Sequence, residues 1–435
     1  MARGRRVGRA VKARAIVAAG RGAGLAPAQL RARVETVSTN AGQPLPWRLA
    51  NSAATQGAMQ SPPSSINWTE NGSDRHALWR SESGFPAPQR IVIADDRLTA
   101  DAAFRLASEG TAMLWRGDYH NARQLLQAMT RRAMKKPRKP VPTARDAFNQ
   151  HRQAQSQRAR TLGRLLIEVD TGHVIALRRA PDVQLACEQA YGPATTPYVL
   201  PLRELLGVIG AYEWRRNGVP IPALDGDRIH PHYGVFSPVR GEYLDLVAQV
   251  PLPTPVPELA FDIGTGTGVL AAILARRGIG HVVATDMETR ALACARDNLE
   301  RLGLLQQVEL LQADLFPPGR ASLLVCNPPW LPARPSSVLE HAIYDPDSRM
   351  LKGFLDGLTD HLAPGGEGWL ILSDFAEHLG LRSRDELLAM IAGAGLQVAG
   401  RHDIRPRHPK ASDPSDPLAG ARARELTSLW RLRAA

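Results

Sequence analysis

Two clusters of residues in this chain have the types and spacing for chemistry. The first is Asp262-Ile263-Gly264-Thr265-Gly266-Thr267-Gly268; the second, Cys326-Asn327-Pro328-Pro329-Trp330, lies downstream of it. Glycines let the backbone approach a ligand closely, and a helix that starts at such a turn favours negative charge at its N-terminus. The second cluster suits a planar nitrogen. An amide or exocyclic amine is a weak nucleophile because its lone pair is delocalised. The Asn327 side-chain oxygen and the Pro328 carbonyl can each accept one of its N–H bonds, which holds the group and favours a pyramidal nitrogen. Two prolines stiffen the loop and fix those acceptors, and Trp330 offers a flat face to a planar substrate. Each cluster alone also fits something plainer. The glycines suit any tight strand-to-helix turn, and the second cluster suits a proline-rich strand end with a core tryptophan.

The surrounding elements strengthen the functional reading. Residues 259–263 form a short apolar run with an acid near its end, as in a buried parallel strand. Residues 267–277 are apolar at helical spacing, with arginines in the last turn. A second run, 281–286, ends in Asp286, about 20 residues beyond the glycines, where an acid can bind ribose hydroxyls. A helix is expected over 289–302, a third strand over 308–314 ending in Asp314, and a fourth over 321–326 that runs into Asn327. Either Asp286 or Asp314 alone could be a helix N-cap. Functional residues at successive strand carboxyl ends follow the rule for open α/β sheets.

Here the sequence resembles a known family. The Asp262–Gly268 glycine turn, the strand-end acids and Asn327-Pro328-Pro329-Trp330 are similar to class I S-adenosylmethionine (SAM)-dependent methyltransferases that modify amino or amide nitrogen. Within these the chain looks most like the release-factor glutamine N5-methyltransferases (the HemK family). Ser237-Pro238-Val239-Arg240-Gly241-Glu242-Tyr243-Leu244 is similar to that family's Pro-Arg…Glu segment, and Tyr344-Asp345-Pro346 with the stretch 352–358 to the one after its catalytic loop. The resemblance spans residues 228–435. It implies an enzyme with SAM as cofactor. Asp262, Gly264, Gly266 and Gly268 would lie near the SAM amino-acid part, with Asp286 on the ribose and Asp314 on the adenine. Asn327 would lie beside the cofactor and, with Pro328 and Trp330, hold the acceptor nitrogen. The family normally has tyrosine where this chain has Trp330, its small helical N-terminal domain is not recognisable, and 404–425 is a basic, proline-rich insertion. Enzymes acting on adenine or guanine amines use similar loops. Two substrates therefore stand: a protein glutamine, as in a translation factor, or an exocyclic amine of RNA or DNA.

Composition is compatible with both. The formal net charge is +12 over 435 residues, which favours acidic partners such as ribosomes or RNA; an arginine-rich solvated face gives the same excess. Cys187, Cys294 and Cys326 lack ligand spacing, which argues against a metal site and suits a reducing cytosol. No apolar stretch is long enough to span a membrane.

The expected fold is α/β: a Rossmann-like, doubly wound sheet of about seven strands over 228–435, with 366–373 as fifth strand and 395–404 and 426–432 as a closing antiparallel pair. A mixed, mainly helical accessory domain for substrate recognition is expected over 84–227, and a basic extension without regular structure over 1–83. That extension also reads as a nucleic-acid arm, a transit peptide or an overlong start. Within the accessory domain, 90–94 suits a strand, and helices over 99–109 and 121–134 form an αα-hairpin around Gly117-Asp118. Ala122, Leu125, Leu126 and Met129 would pack there on Phe104, Leu106 and Leu114. Lys135-Lys136-Pro137-Arg138-Lys139-Pro140 is a basic linker, 148–162 a basic helix, 165–169 and 173–177 a hairpin around Asp170-Thr171-Gly172, and 180–190 and 202–217 two more helices.

Overall fold

The computed structural model describes residues 64–134, 141–238, 241–335, 340, 342–407, 413 and 416–435. Residues 1–63, the basic linker at 135–140 and Val239-Arg240 of the Pro-Arg…Glu-like segment lie outside the described residues.

The C-terminal half is one seven-stranded sheet. Its strands are β9 (Leu259–Ile263), β10 (His281–Asp286), β11 (Val308–Gln312), β12 (Ala321–Cys326), β13 (Leu362–Ser373), β14 (Leu396–Ile404) and β15 (Thr427–Ala434), in the order β11-β10-β9-β12-β13-β15-β14. The first five run parallel; β15 pairs antiparallel with both β13 and β14. Continuous apolar runs such as Leu323, Leu324, Val325 and Cys326 are fully buried because helices cover both faces of the parallel core. Those helices are α6 (Glu242–Gln249), α7 (Val269–Arg276), α8 (Thr289–Arg301), α9 (Arg349–His361), α10 (Phe375–His378), α11 (Arg384–Gly393) and the short α12 (Ala419–Arg422). This is the doubly wound class I methyltransferase arrangement that the resemblance implied. From β9 the chain winds outward to β10 and β11, then returns to the other side of β9 as β12. Beyond the carboxyl ends of β9 and β12 lies a topological switch point, the usual crevice for ligands in such sheets.

The N-terminal half departs from several expectations. Residues 65–79, expected to lack structure, form a hairpin of β1 (Ser65–Glu70) and β2 (Ser73–Trp79). The cause is local: Asn71 and Gly72 take positive φ (52° and 75°), as a two-residue hairpin turn requires, and Ile66, Trp68, Ala77 and Trp79 bury one face. The hairpin extends a six-stranded sheet, β1-β2-β6-β5-β4-β3, whose other strands are β3 (Ile91–Ala94), β4 (Ala112–Trp115), β5 (Leu165–Val169) and β6 (Tyr198–Pro201). The helices α1 (Ala100–Ser108), α2 (Tyr119–Met134), α3 (Ala144–Leu162), α4 (Gln184–Tyr191) and α5 (Leu202–Asn217) contribute more residues than those strands. The expected αα-hairpin is interrupted by β4, a four-residue apolar run buried on both faces, too short for periodicity to classify. Leu114 consequently joins the cluster with Ile66 and Trp79, while Ala122, Leu125, Leu126 and Met129 pack with Phe104 and Leu106 on the other face. No strand forms over 173–177. His173 is buried at positive φ, hydrogen-bonded to the Tyr198 hydroxyl (2.9 Å) and the Gly192 carbonyl (2.8 Å), and β6 is the strand beside β5. A two-residue pair, β7 (Val219–Pro220) with β8 (Arg228–Ile229), leads into the C-terminal half.

Glu367 in β13 has no exposed side-chain surface. It accepts hydrogen bonds from Trp369 Nε1 (3.2 Å), Arg431 (2.8 and 2.7 Å) and Arg433 (3.1 Å) of β15. Burial alone would raise its carboxyl pKa, but the two guanidiniums hold it down at about 2. Because the folded value is depressed, the stabilisation is complete above the unfolded value near 4.5 and is lost as pH falls toward 2. Glu367→Gln should therefore lower stability at pH 7 by about 2 kcal/mol. That is below the roughly 3–5 kcal/mol of a fully buried pair, since both arginines reach solvent. Urea unfolding at pH 7 and again near pH 3 checks this, with the difference expected to shrink in acid.

Candidate functional site

Strand register sets the geometry of the crevice. Asp262 pairs with Ala284 of β10 on one side and Val325 of β12 on the other, and Ile263 pairs with Cys326. The glycine turn and Asn327 thus leave the sheet at the same level on neighbouring strands. Gly264, Gly266 and Gly268 have φ of 75°, 55° and 81°. At Gly268 a Cβ would also stand 3.2 Å from the Ala295 backbone of α8, a tight contact added to the strain of that positive φ. Nothing lies within 4 Å of the Cβ position at Gly266, where the turn faces open space. The N–H groups of Gly264 and Thr265 donate to the Thr285 carbonyl (2.9 and 2.8 Å), which pins the turn to β10.

Asp262 is fully buried. Its Oδ2 accepts from Thr265 Oγ1 (2.6 Å) and the Ala271 N–H (3.1 Å), while Oδ1 has no partner. Burial raises its pKa to about 6. Asp286 accepts from the Gly266 N–H (3.0 Å) and the Glu288 N–H (3.0 Å), and burial raises its pKa too. Asp314 stands apart from this pair: its side chain is more than half exposed and forms an ion pair with Arg349 (2.6 Å) at the start of α9.

On the β12 side, Pro328 is buried and Asn327 and Trp330 are part-buried. The Trp330 indole N–H donates to Asn327 Oδ1 (2.9 Å), so Trp330 turns a polar edge toward Asn327 as well as carrying an aromatic face. Tyr243 of α6 meets the Trp330 ring edge-to-face at 6.5 Å. The chain beyond Trp330 is closed into a loop by a bridge between Leu331 and Tyr344. Arg152 of α3 braces that loop through Glu340 (3.0 Å), the Arg334 carbonyl and the face of Tyr344 (3.9 Å). Sequence reading missed both Tyr243 and Arg152 as site neighbours. Tyr243 follows Glu242 in a segment already singled out, which is a usable signal; Arg152 is one basic residue of many on its helix. Among the described residues there is no cluster able to hold a metal ion, and no helix long and apolar enough to cross a membrane.

A family model described as methyltransferase small domain matches residues 228–383. A release factor glutamine methyltransferase of Deinococcus radiodurans is 33% identical over 253 residues, covering 52% of this chain and 87% of that protein. The chain belongs to this family. The match to another relative is more local: a Cereibacter sphaeroides release factor glutamine methyltransferase is 38% identical over 110 residues, 25% of this chain and 36% of the relative. The chain thus spans less than two thirds of that relative's length. Among solved structures, a methyltransferase from Pyrococcus furiosus aligns at 18% identity over 54% of this chain and 99% of its own, with a TM-score of 0.34.

For this family member, the half-satisfied carboxylate of Asp262 sets a stability test. A folded-state pKa raised to about 6 means stability is full below the unfolded value near 3.8 and falls as pH rises through 6. Asp262→Asn keeps an acceptor for Thr265 and Ala271 and removes the buried charge. It should be more stable than the wild type at pH 8 by about 1–3 kcal/mol and indistinguishable at pH 4. Urea unfolding at the two pH values measures the difference.

Proposed function

We propose that this protein transfers a methyl group from SAM to the side-chain amide nitrogen of a glutamine in a protein substrate of the translation-factor kind. The observation that carries the reading is the Asn327 carboxamide oxygen, held at the carboxyl end of β12 beside the glycine turn of β9. Family membership supports the same reaction.

The residues present fit the cofactor. The unpartnered Asp262 Oδ1 suits the ammonium of an amino-acid moiety, the open space at Gly266 admits a ligand against the backbone, and Asp286 suits ribose hydroxyls. Asp314 keeps the adenine role proposed for it only if its exposed carboxylate is shared with Arg349. When bound, SAM supplies an electrophilic methyl on a sulfonium. The rest is positioning by the chain. The Asn327 oxygen has two lone pairs; Trp330 occupies one, leaving the other for an acceptor N–H. The Pro328 carbonyl accepts the second N–H. An amide nitrogen held at both hydrogens is turned toward pyramidal geometry, and the buried Pro328 keeps the acceptors from relaxing. The net charge of +12 favours a second reading, methylation of an exocyclic base amine, which the same loop accommodates.

The deciding experiment incubates the full chain with methyl-labelled SAM and cell extract. Label removed by protease and retained after nuclease is the expected result; the reverse would move the substrate to nucleic acid. Asn327→Ala should cut turnover roughly 100-fold or more while calorimetry shows unchanged SAM affinity. Asp286→Ala should do the converse, weakening SAM binding by about 1–3 kcal/mol; normal affinity would take Asp286 out of the site.

A further inference from the structure

One face of α3 reaches from the N-terminal half to the chain that follows Trp330. Arg145, Phe148 and Arg152 stand at i, i+3 and i+7 and share that face. Arg145 donates to the Gly380 carbonyl beyond α10. Phe148, 3% exposed, is buried with Leu331 and Phe375. Arg152 makes three contacts with one planar group. Its Nη1 donates to Glu340 Oε2 (3.0 Å), its Nη2 donates to the Arg334 carbonyl, and the guanidinium lies 3.9 Å above the centre of the Tyr344 ring.

These contacts fall on two limbs of the chain. Arg334 lies on the limb that leaves Asn327-Pro328-Pro329-Trp330, and Glu340 and Tyr344 lie on the limb that returns. The limbs join next to the acceptor residues. The Leu331 N–H donates to the Ile343 carbonyl (3.2 Å), and the Leu331 carbonyl accepts from the Asp345 N–H (2.8 Å). Leu331 directly follows Trp330, whose indole N–H meets the Asn327 oxygen. The returning limb is anchored in turn, because the Asp345 carboxylate accepts from the Met350 and Leu351 N–H groups at the start of α9 (3.0 and 3.1 Å).

The chemistry of the tie is particular to arginine. The Arg152 and Glu340 side chains are 18% and 24% exposed, so removing either one leaves a charge partly shielded from water without its ion-pair partner. A lysine could keep the ion pair, but it has no planar face for Tyr344 and no second fixed donor for the Arg334 carbonyl.

We propose that Arg152 is a positioning residue for methyl transfer: from the N-terminal half it ties the two limbs together beside the Leu331 bridge and so steadies the Trp330–Asn327 end of the acceptor site. The inference rests on the proposed transfer for its catalytic consequence, but the tie itself is a property of the chain alone.

The test uses the full-length protein with 15N-labelled tryptophan indoles, in which the Trp330 signal is identified by its loss in Trp330→Phe. Arg152→Met keeps the apolar stem and deletes the guanidinium. In it the Trp330 N–H should exchange with solvent about fivefold faster than in the wild type. The Trp369 N–H, bonded to Glu367 inside the sheet, should exchange at the wild-type rate. Equal exchange at Trp330 would overturn the tie; equal acceleration at both tryptophans would make Arg152 a general support of the fold and overturn it too. The rate of label transfer from methyl-labelled SAM to extract protein should fall about tenfold in Arg152→Met, with SAM affinity by calorimetry within about twofold of the wild type. Arg152→Lys should recover part of that loss, to about threefold below the wild type. Glu340→Gln deletes the same ion pair from the loop side and should reproduce both effects; combined with Arg152→Met it should add little. If Arg152→Met does not fold, Glu340→Gln decides, and normal labelling with normal Trp330 exchange in it would overturn the proposal. Unchanged labelling in Arg152→Met, or a SAM affinity that falls as far as the labelling, would do the same. A wild-type chain that labels no protein would sink the glutamine reading, while the exchange measurement would still decide the tie.

Discussion

The site depends on one constraint: β9 is paired in parallel between β10 and β12, in a register that sets Asp262 beside Val325 and Ile263 beside Cys326. Parallel neighbours lie about 4.8 Å apart, so whatever leaves β9 and β12 at the same level must meet. From β9 leaves the glycine turn, from β12 Asn327. A slip of one residue would exchange the faces of every side chain on the strand. It would carry the Asp262 carboxylate away from Thr265 and Ala271, and would bring Phe261, now buried in a core cluster with Leu324 and Phe354, to the other side. In this register Phe261, Ile263, Leu324 and Cys326 are buried together in one cluster.

The same argument explains which half of the fold was legible. In the C-terminal half each parallel strand carries a short apolar stretch, at least partly buried, and ends at a polar residue or a turn, and helices separate all of them but β11 and β12. Periodicity and strand ends then agree. In the N-terminal half the strands are short. Ala112–Trp115 and Tyr198–Pro201 are four residues each, buried throughout, and carry no period of their own. Their assignment depends on partners far along the chain, such as Leu200 against Ile167. The Asn71-Gly72 turn is different: flanked by alternating Ile66 and Trp68, it was a hairpin signal inside a segment whose polar composition obscured it.

Within the site, residues whose place follows from backbone position were readable. Asp262, Asp286 and the glycines lie where strand ends and a turn must put them. Residues whose role follows from tertiary packing were not. Trp330 shows the boundary. Its type suggested a flat platform, but its indole N–H reaches back three residues to Asn327, a contact that exists only because the loop curls around two prolines. Asp314 shows it as well, since Arg349 becomes its neighbour only when α9 begins beside the end of β11.

The acceptor side is also held from outside the methyltransferase sheet. Phe148 of α3 is buried against Leu331 and Phe375, and four residues further along that helix Arg152 stacks on Tyr344 and pairs with Glu340. Residues four apart share a helix face, so one face of an N-terminal helix packs against the chain that follows Trp330. The planar guanidinium suits both jobs at once, a stack and a directed ion pair, in a way that a lysine ammonium would not. Two supports of different origin therefore converge on the loop after β12: α6 meets Trp330 through Tyr243, and α3 braces the far limb through Arg152. A loop closed only by the Leu331–Tyr344 bridge would have freedom to open. With its two limbs tied to separate layers, the loop that starts at Asn327 has little room to open, and restricted motion is what the proposed catalysis by positioning requires.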